Sequence, residues 1–203
     1  MSFYPVMLDW EGMPCLIAGG GKIALHKAEV LCSNGADVTV VAPEICEEMR
    51  KLPVRIIERP VTANDLDGMR FAVDATGSSE AQEMLSSECR FRKIPFNSAC
   101  RVDDGTAMFP AVSRSGKTVI AVSTIGASPA ASAYLRDELA GHIPDEIDGI
   151  LDVMAELRPL SREHIAVQSD RRLFLRRCLS MMLKEKRKLA DSEITEILQE
   201  FKK

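Results

Sequence analysis

The chain has 203 residues, 46% of them hydrophobic and 28% charged, with a formal net charge of −4. That length suits one domain with a smaller one appended, and it is enough to bury a real core. The acidic balance leaves no global footprint for nucleic acid, and no run of about 18 apolar residues is present to span a membrane. The segment MSFYPVMLDWEG has neither the basic start nor the apolar core of a signal peptide, so no export and no membrane partner are expected. Six cysteines, at positions 15, 32, 46, 89, 100 and 178, form no C-x-x-C pair and no metal-ligand spacing with the three histidines. No metal site is expected, and a reducing, cytoplasmic setting is the simple inference.

In chain order, Tyr4 to Leu8 is apolar and extended, and is expected to add an edge strand before a turn at Glu11-Gly12. Cys15 to Ala18 reads as a short buried strand. Gly19, Gly20 and Gly21 follow at once, giving G-x-G-x-x-A across Gly19 to Ala24. In the setting strand, glycine turn, helix, strand, this is a dinucleotide-binding turn. Glycine is needed because a side chain there would hold a pyrophosphate away from backbone N–H groups that, with the helix dipole, stabilise its charge. Ala24 can stand for the third glycine, where only close packing of helix on strand is required. The helix is expected over about Lys22 to Ser33, with Ile23, Leu25, Ala28, Val30 and Leu31 near helical period and Asn34-Gly35 as the stop. Val38 to Val41 is the next strand, closed by Glu44, whose carboxylate suits a ribose diol or caps the following segment.

Val54 to Ile57, Arg70 to Ala75 and Ile94 to Ser98 read as further strands, with a helix over Glu80 to Arg92. The loop Thr76-Gly77-Ser78-Ser79 falls at the carboxyl edge of an open α/β sheet, where ligands bind. Near Ala107 the character changes. Thr106 to Val112 and Thr118 to Ser123 are two apolar runs joined by Ser113 to Lys117, a hairpin pattern. From Ser128-Pro129, a cap and first-turn pair, the pattern is helical, with helices near Pro144 to Glu156, Ser161 to Lys186 and Asp191 to Phe201.

Three spaced motifs, AGGGKIALHKAEVL, NSACRVDDGTAMFPA and VSTIGASPAASAYLRDEL, together resemble the precorrin-2 dehydrogenase family of siroheme synthesis, across essentially the whole chain. The resemblance implies an α/β Rossmann domain over 1–113, a dimerisation region over 114–145 and a helical domain over 146–203. It implies oxidation of precorrin-2 to sirohydrochlorin with NAD, in some members followed by insertion of Fe2+, by a homodimer. Carried onto this sequence, the cofactor contacts fall on Gly19, Gly21, Lys22, Ile23, Pro43 and Glu44, with Thr76 and Gly77 at the nicotinamide half. Glu44 also follows Gly19 at close to the ~20-residue interval of the ribose-binding acid, and an acid there favours NAD over NADP.

The family's acid/base aspartate, three residues after the asparagine matched by Asn97, falls here on Cys100. Either Asp103 or Asp104 takes the role through a local slip, or the aspartate is absent. A cysteine beside Arg101 could act as a base if its pKa were lowered, or Cys100 could be a small filler and Asp103-Asp104-Gly105 a turn. The substrate is a polycarboxylate, so an acidic protein must present local cations. Arg114, Lys117 and Arg136, with Asn97 and with Ser128 of the Ser-Pro loop, are the candidate substrate contacts. Ser128 also reads as a helix cap. The C-terminal cluster Arg171, Arg172, Arg176, Arg177, Lys184, Lys186, Arg187 and Lys188 is either a further clamp or a solvated face. His26, His142 and His164 lack adjacent ligand patterns. Two other functions fit the same residues: a chelatase that needs no NAD, and a non-catalytic NAD(H)-binding redox sensor.

Overall fold

In the computed structural model, which describes residues 3–99, 101 and 104–201, the chain divides into two units, Met1–Phe109 and Pro110–Lys203. The first unit contains β1 (Pro14–Ala18), α1 (Lys22–Ser33), β2 (Asp37–Val41), β3 (Arg55–Ile57), β4 (Phe71–Asp74), α2 (Ser79–Arg92) and β5 (Phe96–Ser98). The five strands form one parallel sheet in the order β3-β2-β1-β4-β5. Its central strands are nearly continuous apolar runs because both faces are covered. Cys15, Ile17, Val38, Val40, Phe71 and Val73 share one face with Ala24, Ala28 and Leu31 of α1. Leu16, Ala18, Val41, Ala72 and Phe96 share the other with Leu85 and Cys89 of α2. The chain runs outward from β1 in both directions, through β2 on one side and β4 on the other, and such a reversal opens a crevice at the carboxyl ends of the strands. This is the expected Rossmann-type α/β arrangement.

The first helix spans the predicted residues, and its buried face follows from spacing. Ala24, Ala28 and Leu31 lie on one stripe, whereas Ile23 is 56% exposed. Small residues on that stripe let the helix approach the sheet closely. It ends at Asn34, and Gly35 takes φ +84° while its N–H donates to the Cys32 carbonyl at 3.0 Å, a turn that favours glycine.

The second unit holds the hairpin β6 (Ala111–Ser115) and β7 (Thr118–Val122), then α3 (Pro129–Ala140), α4 (Ile147–His164), α5 (Gln168–Glu185) and α6 (Asp191–Phe201). The strands are antiparallel and α3 packs on both. The last three helices bury a core of their own that includes Ile150, Leu157, Phe174, Cys178, Met182, Ile197 and Leu198.

Four expectations are corrected. Tyr4 to Leu8 forms no strand: Tyr4 is 85% and Met7 76% exposed, and the sheet's edges are β3 and β5. The fifth strand begins at Phe96 rather than Ile94, because Lys93 is left-handed at the end of α2 (φ +59°) and Pro95 follows it. In the hairpin, Thr106 and Ala107 both donate their N–H groups to the Phe96 carbonyl, so the first apolar run is held at β5 until β6 begins at Ala111. Pairing of Ser115 with Thr118 then leaves only Gly116 and Lys117 for the turn, and Ser113 to Ser115, expected in the loop, lie in the strand. Finally, α4 runs through Pro159 to His164 rather than breaking before Ser161. An interior proline costs about 3 kcal/mol, and burial of Leu157 and Ser161 on either side of it offsets that cost.

Candidate functional site

A cleft of about 1000 Å³ lies in the first unit at the carboxyl ends of β1, β2 and β4, within the range of a cofactor site. The glycine turn forms its floor. Gly19 takes φ +123° and its N–H donates to the Val41 carbonyl at 3.0 Å. A Cβ at Gly19 would lie 2.4 Å from the Ala75 carbonyl oxygen, and one at Gly20 only 1.9 Å from that of Glu44. These two glycines are therefore fixed by the close approach of three chain segments. Gly21 differs, since a Cβ there would meet nothing within 4 Å, so its bareness keeps the cleft open instead of relieving a clash.

Gly21 is the N-cap of α1 and supplies no side-chain cap, and the first turn holds no acidic residue. The first intrahelical bond runs from the Leu25 N–H to the Gly21 carbonyl at 2.9 Å, so the N–H groups of Lys22, Ile23 and Ala24 precede it. Such unpaired donors, at the positive end of the helix dipole, bind anions. No carboxylate of the first turn competes for them. Across the cleft, α2 begins differently. Ser78 accepts from the Ala81 N–H at 3.3 Å, and the Thr76 hydroxyl accepts from the Ser78 N–H at 3.1 Å. Asp74, the last residue of β4, takes both the N–H (3.0 Å) and the hydroxyl (2.7 Å) of Thr76 on its Oδ1.

Of the predicted cofactor residues, the cleft brings together Gly19, Gly21, Pro43, Glu44 and Thr76; Lys22, Ile23 and Gly77 flank it without lining it. Residues that the sequence reading missed include Ile45, Cys46, Thr62, Ala81 and Met84. Ile45 and Cys46 had a signal, since they continue from Glu44 and the Cys46 N–H donates to the Gly20 carbonyl at 2.9 Å. The wall at Thr62 follows the short β3 and carries no such motif. The glycine cradle, the uncapped α1 and the exposed Glu44 on the rim fit a dinucleotide: donors for the pyrophosphate, a carboxylate for a ribose.

Of the catalytic candidates, Cys100 and Asp103 lie outside the described residues. Asp104 is held against α2, its carboxylate accepting from the Gln82 side chain and its carbonyl from Ser86 Oγ and Arg90, each at 3.4 Å. Asn97 donates from Nδ2 to the Ala107 carbonyl at 3.0 Å, and its buried Oδ1 accepts no hydrogen bond among the described residues. In the second unit, Arg114 is exposed on β6. Lys117 pairs with Asp152, and its N–H donates to Asp148 at 2.8 Å; the Asp152 carboxylate raises its pKa. Arg136 pairs with Asp137 at 2.7 Å, and Ser128 caps α3 by accepting from the Ala131 N–H at 3.1 Å. The C-terminal cations are opposed by acids of α6, which sets Glu200 against Arg177 and Glu193 against Arg187. Among the described residues, no cluster of His, Cys, Asp and Glu could hold a metal ion, and no helix is long and apolar enough to cross a membrane.

A family model described as "Putative NAD(P)-binding" matches residues 6–111. A siroheme synthase of Methylococcus capsulatus is 32% identical over 183 residues, which cover 88% of this chain and 39% of that protein. A precorrin-2 dehydrogenase of Methanosarcina barkeri is 31% identical over 186 residues, 86% of this chain and 81% of that protein. The chain thus spans about two fifths of the siroheme synthases it matches and most of the shorter dehydrogenase. Among solved structures, "SirC, precorrin-2 dehydrogenase" superposes with a TM-score of 0.70 at 26% identity, covering 98% of each chain.

Proposed function

We propose that this chain, which belongs to the precorrin-2 dehydrogenase family, oxidises precorrin-2 to sirohydrochlorin with NAD. The observation that carries this reading is the uncapped N-terminus of α1, opening with the glycine cradle and Glu44 onto one cleft. When bound, the dinucleotide supplies the hydride acceptor. The chain's part is to hold it. The N–H groups that open α1 take the pyrophosphate, Glu44 accepts from ribose hydroxyls, and the Thr76-Gly77 loop faces the nicotinamide half. The exposed Glu44 carboxylate disfavours a ribose phosphate, which supports NAD over NADP.

Positioning supplies much of the catalysis, and a base that takes the proton lost with the hydride adds about 10²–10⁴-fold. Asp104, Asp103 and Cys100 are the groups proposed for that proton. Asp104 has Oδ1 to accept it while Oδ2 holds Gln82. Arg114, Lys117, Arg136, Ser128 and Asn97 are proposed to bind the substrate, with Lys117 and Arg136 exchanging Asp152 and Asp137 for its carboxylates. We place the dimerisation region at 114–145, between the NAD-binding domain over 1–113 and the helical domain over 146–203, and read the working form as a homodimer in the cytoplasm. The free thiols of Cys15, Cys32, Cys46, Cys89 and Cys178 support a reducing compartment. Insertion of Fe2+ is the finer part of the proposal, and it depends more on the base, because pyrrole N–H protons must leave as the metal enters.

The test is anaerobic absorbance of the purified protein with precorrin-2 and NAD+, followed at the sirohydrochlorin band and again after Fe2+ is added. An NAD+-dependent rise supports the dehydrogenase. A further change on adding metal, faster than without protein, adds chelation. No rise while NAD+ binds leaves the redox sensor as the reading, and chelation without NAD+ turnover leaves the chelatase.

A further inference from the structure

Asp74 is 1% exposed at the end of β4, and the two residues after it, Ala75 and Thr76, line the cleft. Its Oδ1 is spent on Thr76, while its Oδ2 is buried without a hydrogen-bond partner among the described residues. It also forms no ion pair among them. A buried oxygen left unpaired costs stability and calls for an explanation. The Thr76 loop alone does not provide one, because an asparagine at position 74 would offer Oδ1 to the same two donors without a carboxylate's charge. When the carboxyl is ionised, the second oxygen adds a negative charge that solvent does not screen. The carboxylates that do line the cleft, Glu44 and Glu80, are exposed and are screened.

We infer that Asp74 is a positioning residue that makes the cleft prefer the oxidised cofactor. It anchors the Thr76 loop and sets a buried negative charge behind it, which favours the cationic nicotinamide ring of NAD+ over the neutral ring of NADH. This rests on the reading above that the nicotinamide half lies at Thr76-Gly77. Discrimination of that kind suits an oxidase of its substrate, since the reactant cofactor is held and the reduced product is released.

The experiment is titration calorimetry of the full chain with NAD+ and with NADH, in the absence of tetrapyrrole. The wild-type protein is expected to bind NAD+ at least as tightly as NADH. Asp74→Asn is expected to weaken NAD+ about tenfold while NADH stays within about twofold. Glu80→Gln, which removes a screened charge from the same cleft, is expected to leave the ratio of the two affinities unchanged. A loop-anchoring role alone would move both nucleotides together, so an unchanged ratio in Asp74→Asn overturns the inference. Should that variant fail to fold, a wild-type protein that binds NADH tenfold more tightly than NAD+ overturns it equally. Wild-type protein that binds neither nucleotide overturns the functional reading and this inference with it, whereas binding of both with the wrong ratio overturns this inference alone.

Discussion

Two helices begin at the same cleft, and they begin in opposite ways. The N-terminus of α2 is closed by its own side chains, through Ser78 on Ala81, Thr76 on Ser78 and Asp74 on Thr76. The N-terminus of α1 has no side-chain cap and no first-turn acid. Both ends begin with donors that lack an intrahelical partner, and both have the same dipole. What separates an anion site from a structural cap is therefore which side chains are missing: where the chain supplies its own acceptor the end is structure, and where three glycines withhold one it is free to bind.

That contrast breaks most visibly at Gly20. Gly20→Ala would press a methyl group to 1.9 Å from the Glu44 carbonyl, and backbone on both sides leaves little room to move. A loss of about 3 kcal/mol or more is expected, read as a fall in the midpoint of urea unfolding, with nucleotide binding lost alongside. At the closed end, Ser78→Ala removes the cap of α2. About 1 kcal/mol of stability should go, with NAD+ affinity falling less than threefold; a larger binding loss than stability loss would mean that α2, too, is a ligand end.

The smallest effect lies at α6, a third N-terminus closed by a side chain. Glu193 accepts from Arg187 and from the Ala190 N–H at 2.7 Å, and these contacts, Arg187 above all, hold its carboxyl down to about 2 from an ordinary 4.5. A depressed carboxyl stabilises the fold above its unfolded value and loses that contribution as pH falls through the folded one. Between pH of about 4.5 and about 2, α6 should therefore fray. Amide exchange in α6 should accelerate over that window in the wild type. In Glu193→Gln it should already be faster near neutral pH and change less with acid.

How much of this was legible in the sequence depended on whether the signal was local. The glycine turn, α1 and its stop at Asn34-Gly35 were readable because strand, turn and period all fall within neighbouring residues. Ser128-Pro129 was readable as a cap for the same reason. Tyr4 to Leu8 misled because an apolar extended run becomes a strand only with a partner, and the partner is set by the whole sheet. The helix end expected at Glu156 misled because the packing of Leu157 and Ser161 carries α4 on through Pro159. At the site, Gly19, Gly21, Pro43, Glu44 and Thr76 came from motif and resemblance, while Thr62, Ala81 and Met84 are brought to the cleft only by the fold. Asp74 read as one more strand residue. Its role is visible only once Thr76 is seen turning back onto it and the second oxygen is left without a partner.

The most direct test makes the open end of α1 like the closed end of α2. Gly21 has the extended backbone of an N-cap (φ −90°, ψ −170°) and room for a side chain, so Gly21→Asp should cap α1 and place a carboxylate where the pyrophosphate belongs. NAD+ binding by calorimetry should fall by about 100-fold or more while the unfolding midpoint stays equal to or above that of the wild type. A well-folded Gly21→Asp protein that binds NAD+ with the wild-type affinity would contradict the account, because the cofactor would then not be held by the end of this helix.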